Sequence, residues 1–124
     1  MSYLFTSEAV SAGHPDKICD QISDTLLDLF LAADPTAHTA IEAMATTGRI
    51  VIAGETLGNN RPQAEEIENA VRTLIKTIGY DQPGFSYKNV QITDLLHCQS
   101  ADIAAGIKDC GAGDQGMMFG YAEQ

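Results

Sequence analysis

Ala37-His-Thr-Ala-Ile-Glu-Ala-Met-Ala-Thr-Thr-Gly-Arg-Ile-Val-Ile-Ala-Gly-Glu-Thr56 decides the fold. Residues 37–47 read as a strand, Gly48 as a turn, and Arg49 to Thr56, rich in β-branched side chains, as a second strand. Two strands joined so tightly form a hairpin. Its flanks are helical. After Gly13-His14-Pro15, the residues Ile18, Ile22, Leu26, Leu29, Phe30 and Ala33 recur at helical spacing. Asp16 and Asp20 suit the positive end of that helix, and Asp34-Pro35 ends it. Beyond the polar loop Gly58 to Pro62, a second helix runs from about Gln63 to Ile78. Ile67, Ala70, Val71, Leu74, Ile75 and Ile78 mark its buried stripe. Glu65 and Glu66 open it, Lys76 sits near its end, and Gly79 supplies a C-cap. Residues 3–11 alternate weakly and contribute a first strand. Val90 to Thr93 forms a short last one after the turn at Asp81-Gln82-Pro83-Gly84. The order β-α-β-β-α-β predicts an α+β fold, a two-layer unit of helices packed on a mostly antiparallel sheet. Residues 1–100 make this N-terminal domain. Residues 101–124 hold a mobile loop and the first strand of a next, central domain.

The chain has 124 residues, one domain's worth, enough to bury about two-thirds of its unfolded surface. Seventeen acidic residues against seven basic ones give a formal net charge of −10. A nucleic-acid backbone or an anionic membrane is therefore a poor partner. The same balance bears on any polyphosphate ligand: further cations have to come from metal ions or from another piece of protein. The three cysteines, Cys19, Cys98 and Cys110, are odd in number and form no Cys-x-x-Cys pair, which argues against a disulfide framework or a zinc site. Free thiols, the absence of a signal-peptide pattern and the absence of a membrane-length apolar run point to the cytoplasm.

Three places carry candidate chemistry. Ser11-Ala-Gly-His-Pro-Asp-Lys17 brings an imidazole, a carboxylate and an ammonium to a helix N-terminus, where free N–H groups attract anions. His14 can donate to a phosphate oxygen there, and Asp16 can hold Mg²⁺. The same residues also make an ordinary helix entry, with Pro at N1 and Asp facing the dipole. Glu42 and Glu55 lie inside apolar strand patterns. They are either neighbours that hold a cation or substrate, or residues facing solvent on the open side of the sheet. Gln99-Ser-Ala-Asp-Ile103 and the small residues after it suit a lid over residues 99–110, or a plain surface loop. His38 and His97 are isolated and read as structural or surface residues. Gly111-Ala-Gly-Asp-Gln-Gly-Met-Met-Phe119 places Asp114 in a glycine-rich turn before an apolar strand.

These pieces resemble a known family. Phe5-Thr-Ser-Glu-Ala-Val-Ser-Ala-Gly-His-Pro-Asp-Lys-Ile-Cys-Asp-Gln-Ile-Ser-Asp24 is similar to the N-terminus of S-adenosylmethionine synthetases (methionine adenosyltransferases). Gly111 to Ala122 resembles that family's first signature, and Glu42, Gly54-Glu55 and Gln99-Ser-x-Asp-Ile-x-x-Gly106 fall in the family's order. The resemblance covers essentially the whole chain. It implies three similar α+β units and an active site between two subunits of a homo-dimer or tetramer. The implied reaction joins L-methionine to ATP and cleaves the expelled triphosphate to phosphate and diphosphate. It implies that His14 contacts the ATP phosphates and assists the departing triphosphate. Asp16 and Glu8 match acidic residues at the Mg²⁺ site, Glu42 the glutamate associated with K⁺, Glu55 and Gln99 the methionine-binding residues, and Asp114 a substrate-pocket aspartate. Two departures stand out. Ile107-Lys-Asp-Cys110 is shorter than in many bacterial relatives, and family members are much longer than this chain. The expectation is an incomplete, non-catalytic N-terminal portion of the enzyme. The alternatives are a non-catalytic interaction module or one chain of a split synthetase.

Overall fold

The computed structural model describes residues 3–4, 6–98 and 120. Seven elements follow in order: α1 (Pro15–Ala33), β1 (His38–Thr46), β2 (Arg49–Leu57), α2 (Ala64–Ile78), β3 (Asp81–Gln82), β4 (Phe85–Ser86) and β5 (Gln91–Cys98). The chain is α+β, as its periodicities predict.

Helix α1 starts where Pro15, with φ already helical and no N–H to satisfy, takes the first position. Its cap is His14, whose Nδ1 accepts from the Asp16 N–H at 3.2 Å. Ile18, Ile22, Leu26 and Phe30 form the buried stripe. The helix stops at Asp34, a buried carboxylate that is only 8 % exposed. Its Oδ1 accepts from the Thr36 hydroxyl at 2.6 Å and the Thr36 N–H at 2.9 Å, and its Oδ2 accepts from the Asn59 N–H at 2.7 Å. Those bonds, the Thr36 hydroxyl foremost, hold its carboxyl down at about 2. One side chain thus ties the end of α1 to the loop after β2.

Helix α2 opens with Glu66 accepting from the Gln63 N–H at 2.7 Å. It closes at Gly79, whose φ of +107° lies in the left-handed region that favours glycine. The Gly79 N–H reaches the carbonyls of Ile75 and Lys76, and the Tyr80 N–H also reaches Ile75. Arg72 on this helix donates to the Tyr87 and Val90 carbonyls at 2.8 and 2.9 Å, fastening the segment that leads into β5.

The sheet has the order β1-β2-β5. β1 and β2 are the expected antiparallel hairpin, in register from His38↔Leu57 to Thr46↔Arg49. β2 and β5 are parallel, from Arg49↔Gln91 to Thr56↔Cys98. A connection through α2 brings the chain back to the same end of the sheet, and that forces the parallel sense. With the short β3–β4 hairpin, the described pairings are two antiparallel and one parallel. Two details depart from expectation. Residues 3–11 form no strand in their described part; Tyr3 and Leu4 are 80 % and 94 % exposed, so their weak alternation buries no face. The last strand runs to Cys98 instead of stopping at Thr93.

The inner face of the sheet carries Ile41, Ile50, Ile52 and Leu96, packed with the stripes of α1 and α2 in one core. Ile22, Leu26, Ile50, Ile52, Ile67, Val71, Ile75 and Val90 are fully buried, and each such side chain stabilises the fold by about 1.5–3 kcal/mol. Among the described residues, no helix covers the outer face. It presents Met44, Leu57 and Leu95 to solvent alongside Glu42 and Glu55. Among the described residues, no helix is long and apolar enough to cross a membrane.

Candidate functional site

The entry to α1 is built by its own sequence. The His14 N–H closes a turn onto the Ser11 carbonyl at 3.0 Å, and the His14 carbonyl accepts the first helical bond from Ile18. With Nδ1 engaged as an acceptor from the Asp16 N–H, the neutral ring carries its proton on Nε2. Nε2–H is then a donor at the positive end of a 19-residue helix. The Asp16 carboxylate stands beside it, Oδ2 lying 3.8 Å from Nδ1, with 83 % of its side chain exposed. Lys17 reaches Asp20 at 3.7 Å, and both ends of that pair are exposed. A cavity of about 420 Å³ opens under this corner, between Pro15 and Ile18 of α1, the end of β1, and Tyr80 and Phe85. Cys19 is a free thiol nearby; burial chiefly pushes its pKa up, so it is a weak nucleophile.

A second set of groups lies on the outer face of the sheet. Register sets Glu42 opposite Ala53 and Glu55 opposite Ala40, so the two glutamates stand diagonally on one face. Glu42 is exposed and Glu55 half-buried. On the other flank, the parallel pairing sets His97 beside Glu55, with His97 Nε2 3.4 Å from the Glu55 carboxylate. The isolated appearance of His97 in sequence concealed this pair. The signal lay in the strand register, and reading the last strand as ending at Thr93 removed it.

The structure therefore brings His14 and Asp16 together, sets Glu55 beside His97, and places Glu42 diagonally from Glu55 on the same face. It does not bring the two sets to each other. α1 packs on the inner face of the sheet, and the glutamates project from the outer one. Glu8 sits exposed in the segment before α1. Among the described residues, no three His, Cys, Asp or Glu side chains gather as a metal cluster. Gln99 and Asp114, the expected lid over residues 99–110 and the strand after Gly116 lie outside the described residues.

The family model for the N-terminal domain of S-adenosylmethionine synthetase matches residues 2–101. The chain belongs to the S-adenosylmethionine synthetase family. The S-adenosylmethionine synthase of Granulibacter bethesdensis is 60% identical over 125 residues, which is 97% of this chain and 32% of that protein. That of Parvibaculum lavamentivorans is 56% identical over 98% of this chain and 32% of its own length. A solved structure described as an unusual S-adenosylmethionine synthetase from Campylobacter jejuni superposes with a TM-score of 0.71 at 37% identity, covering 82% of this chain and 28% of that one. The chain spans about a third of the length of the curated synthetase relatives it matches. The two sets of groups described above fall within the matched domain of the synthetase family, one on each side of its sheet.

Proposed function

We propose that this chain is the N-terminal unit of a methionine adenosyltransferase that makes S-adenosylmethionine from ATP and L-methionine. The observation that carries the reading is the family match across residues 2–101, with His14, Asp16, Glu42 and Glu55 all inside it. In the reaction a methionine sulfur lone pair attacks C5′ of ATP. The new S–C bond forms as the C5′–O bond breaks, and triphosphate leaves before hydrolysis to phosphate and diphosphate. His14 donates from Nε2 to the leaving triphosphate, aided by the N-terminal dipole of α1. Glu55, half-buried on the outer face, accepts from the methionine ammonium. Gln99 and Asp114 complete the methionine and substrate pockets.

Asp16, beside His14, and Glu8, in the segment before α1, are exposed carboxylates. That donor set suits Mg²⁺, which takes one or two protein carboxylates together with substrate phosphates. The exposed carboxylate of Glu42 suits K⁺. These cations supply the positive charge that a −10 chain lacks. We assign the activity to the cytoplasm, in keeping with the free Cys19 thiol.

His14 and Glu55 project from opposite sides of the sheet. This separation supports a composite site in a homo-dimer or tetramer, where the α1 entry of one protomer faces the outer sheet of another. Mixed dimers test it. In a full-length synthetase carrying this segment, His14→Ala and Glu55→Gln protomers are each strongly impaired alone when methionine is held below the wild-type KM. Combined, they regain one intact site per mixed dimer. If mixing restores nothing above the single variants, both residues serve the same site from one protomer and the composite reading is wrong.

A further inference from the structure

We propose that Tyr80 is a positioning residue for the His14 imidazole, acting through the carbonyl of Gly13; the inference deepens the reading of His14 given above. The Tyr80 hydroxyl donates to the Gly13 carbonyl at 2.6 Å, across 67 residues of sequence. That carbonyl belongs to the peptide leading into His14, so the bond fixes the plane from which the imidazole departs. The approach is close: a Cβ on Gly13 would meet the Tyr80 hydroxyl at 3.3 Å. Gln21 Nε2 holds the preceding carbonyl, Ala12, at 3.1 Å. Two side chains thus hold two successive carbonyls of the turn.

Tyr80 is itself rigidly seated. The left-handed Gly79 ends α2 and aims the chain toward the start of α1. The Tyr80 N–H is bound to Ile75, and its carbonyl accepts from the Tyr87 N–H. Its ring packs edge-on against Phe85, with centroids 5.1 Å apart and planes at 83°. Pro15 and Tyr80 both line the 420 Å³ cavity next to the turn. Ser11, Ala12 and His14 are exposed above it. Three hydrogen bonds hold the turn, and among the described residues the Tyr80 bond is the one that reaches it from beyond α2.

Tyr80→Phe keeps the ring and removes the bond; Gln21→Met is the second variant. The first measurement is made on the chain by NMR: amide exchange at His14 and Asp16, and the ring ¹⁵N shifts that report the His14 tautomer. In Tyr80→Phe, exchange at those two amides should rise about tenfold or more while the amides between β1 and β2 stay protected. The Nε2–H tautomer should give way to an averaged one. Unchanged amides and tautomer, or a uniform rise in exchange along the chain, would overturn the proposal. The second measurement is kinetic, in a full-length synthetase carrying this segment. Tyr80→Phe should lower kcat and leave KM for methionine in place. Equal loss in both parameters would overturn a positioning role. If His14→Ala leaves the rate unchanged, the catalytic reading of His14 falls, and the NMR measurement still decides the tether.

Discussion

Gly54→Ala should be among the most destabilising single-methyl additions in this chain. Gly54 lies in the central strand β2, opposite Ile41 on one side and Leu96 on the other. Its φ of +134° is rare for L residues, and holding alanine there costs about 1–3 kcal/mol. The added Cβ would also lie 2.0 Å from the Ala40 carbonyl oxygen and 3.1 Å from the Ala40 carbonyl carbon and the Ile41 Cα. Comfortable heavy-atom separations are about 3.5–4.0 Å, so β1 must move away from β2. Two ladder hydrogen bonds lost at about 0.5–1.5 kcal/mol each bring the total to about 2–6 kcal/mol, a large share of a typical domain's stability. Gly79→Ala is the internal control. Its φ is also positive, at +107°, but a Cβ there meets nothing within 4 Å, so only the backbone cost applies. Urea unfolding of the three chains, followed by far-UV circular dichroism, separates the two contributions. Unfolding of Gly54→Ala at the same urea concentration as Gly79→Ala would refute the clash with β1.

Other outcomes follow from the same geometry. Asp34, held at about 2, binds fewer protons folded than unfolded, where a carboxyl titrates at about 3.9. Its contribution to stability is full above the unfolded value and disappears as pH falls through about 2. The urea midpoint of the wild type relative to Asp34→Asn should therefore converge over that window, and a constant difference down to pH 2 would contradict it. Arg72→Met leaves the Tyr87 and Val90 carbonyls without their charged donor; a loss of about 1.5–3 kcal/mol in the same unfolding assay is expected. In a full-length synthetase, Glu55→Gln should weaken methionine binding by about 1.5–3 kcal/mol and spare ATP, as calorimetric titration of each substrate would register. His14→Ala there should reduce kcat far more than it raises KM for ATP, because charge grows on the leaving triphosphate; steady-state kinetics with ATP varied decides it.

Local signals made much of this fold legible. Pro15 before an apolar stripe, Asp34-Pro35 after it, Gly48 between two β-branched runs and Gly79 after Ile78 each mark a boundary by a backbone preference that needs no tertiary partner. The last strand was harder to read. Asp94 interrupts its inner face between Ile92 and Leu96 and breaks the apolar alternation. The structure offers Asp94 the Leu96 N–H at 2.8 Å and Arg61 at 3.7 Å, compensation that comes partly from a distant loop. The pairing of Glu55 with His97 was hidden for the same reason, since it exists only once β2 and β5 are in parallel register. His14 and Asp16 were visible because both depend on a helix start that the sequence announces. Tyr80, 67 residues from its partner, carried no local sign of its role.

The placement of β5 against β2 sets an order of assembly. Everything α1 needs from the sheet lies in β1 and β2, which follow it immediately in the chain. The hairpin pairs residues as close as Thr46 and Arg49, so its loop-closure entropy is small. The β2–β5 pairing joins Arg49 to Gln91 and must wait until α2 and the β3–β4 turn have been made. A nascent chain leaving the ribosome therefore carries, for a time, a hairpin whose second strand shows a bare edge with Ile50-Val51-Ile52 along it. That edge is a template for unwanted pairing with other chains until β5 arrives to cover it. Slow synthesis between Leu57 and Gln91 would prolong the exposed interval, which makes the pace of elongation a second control on folding beside final stability.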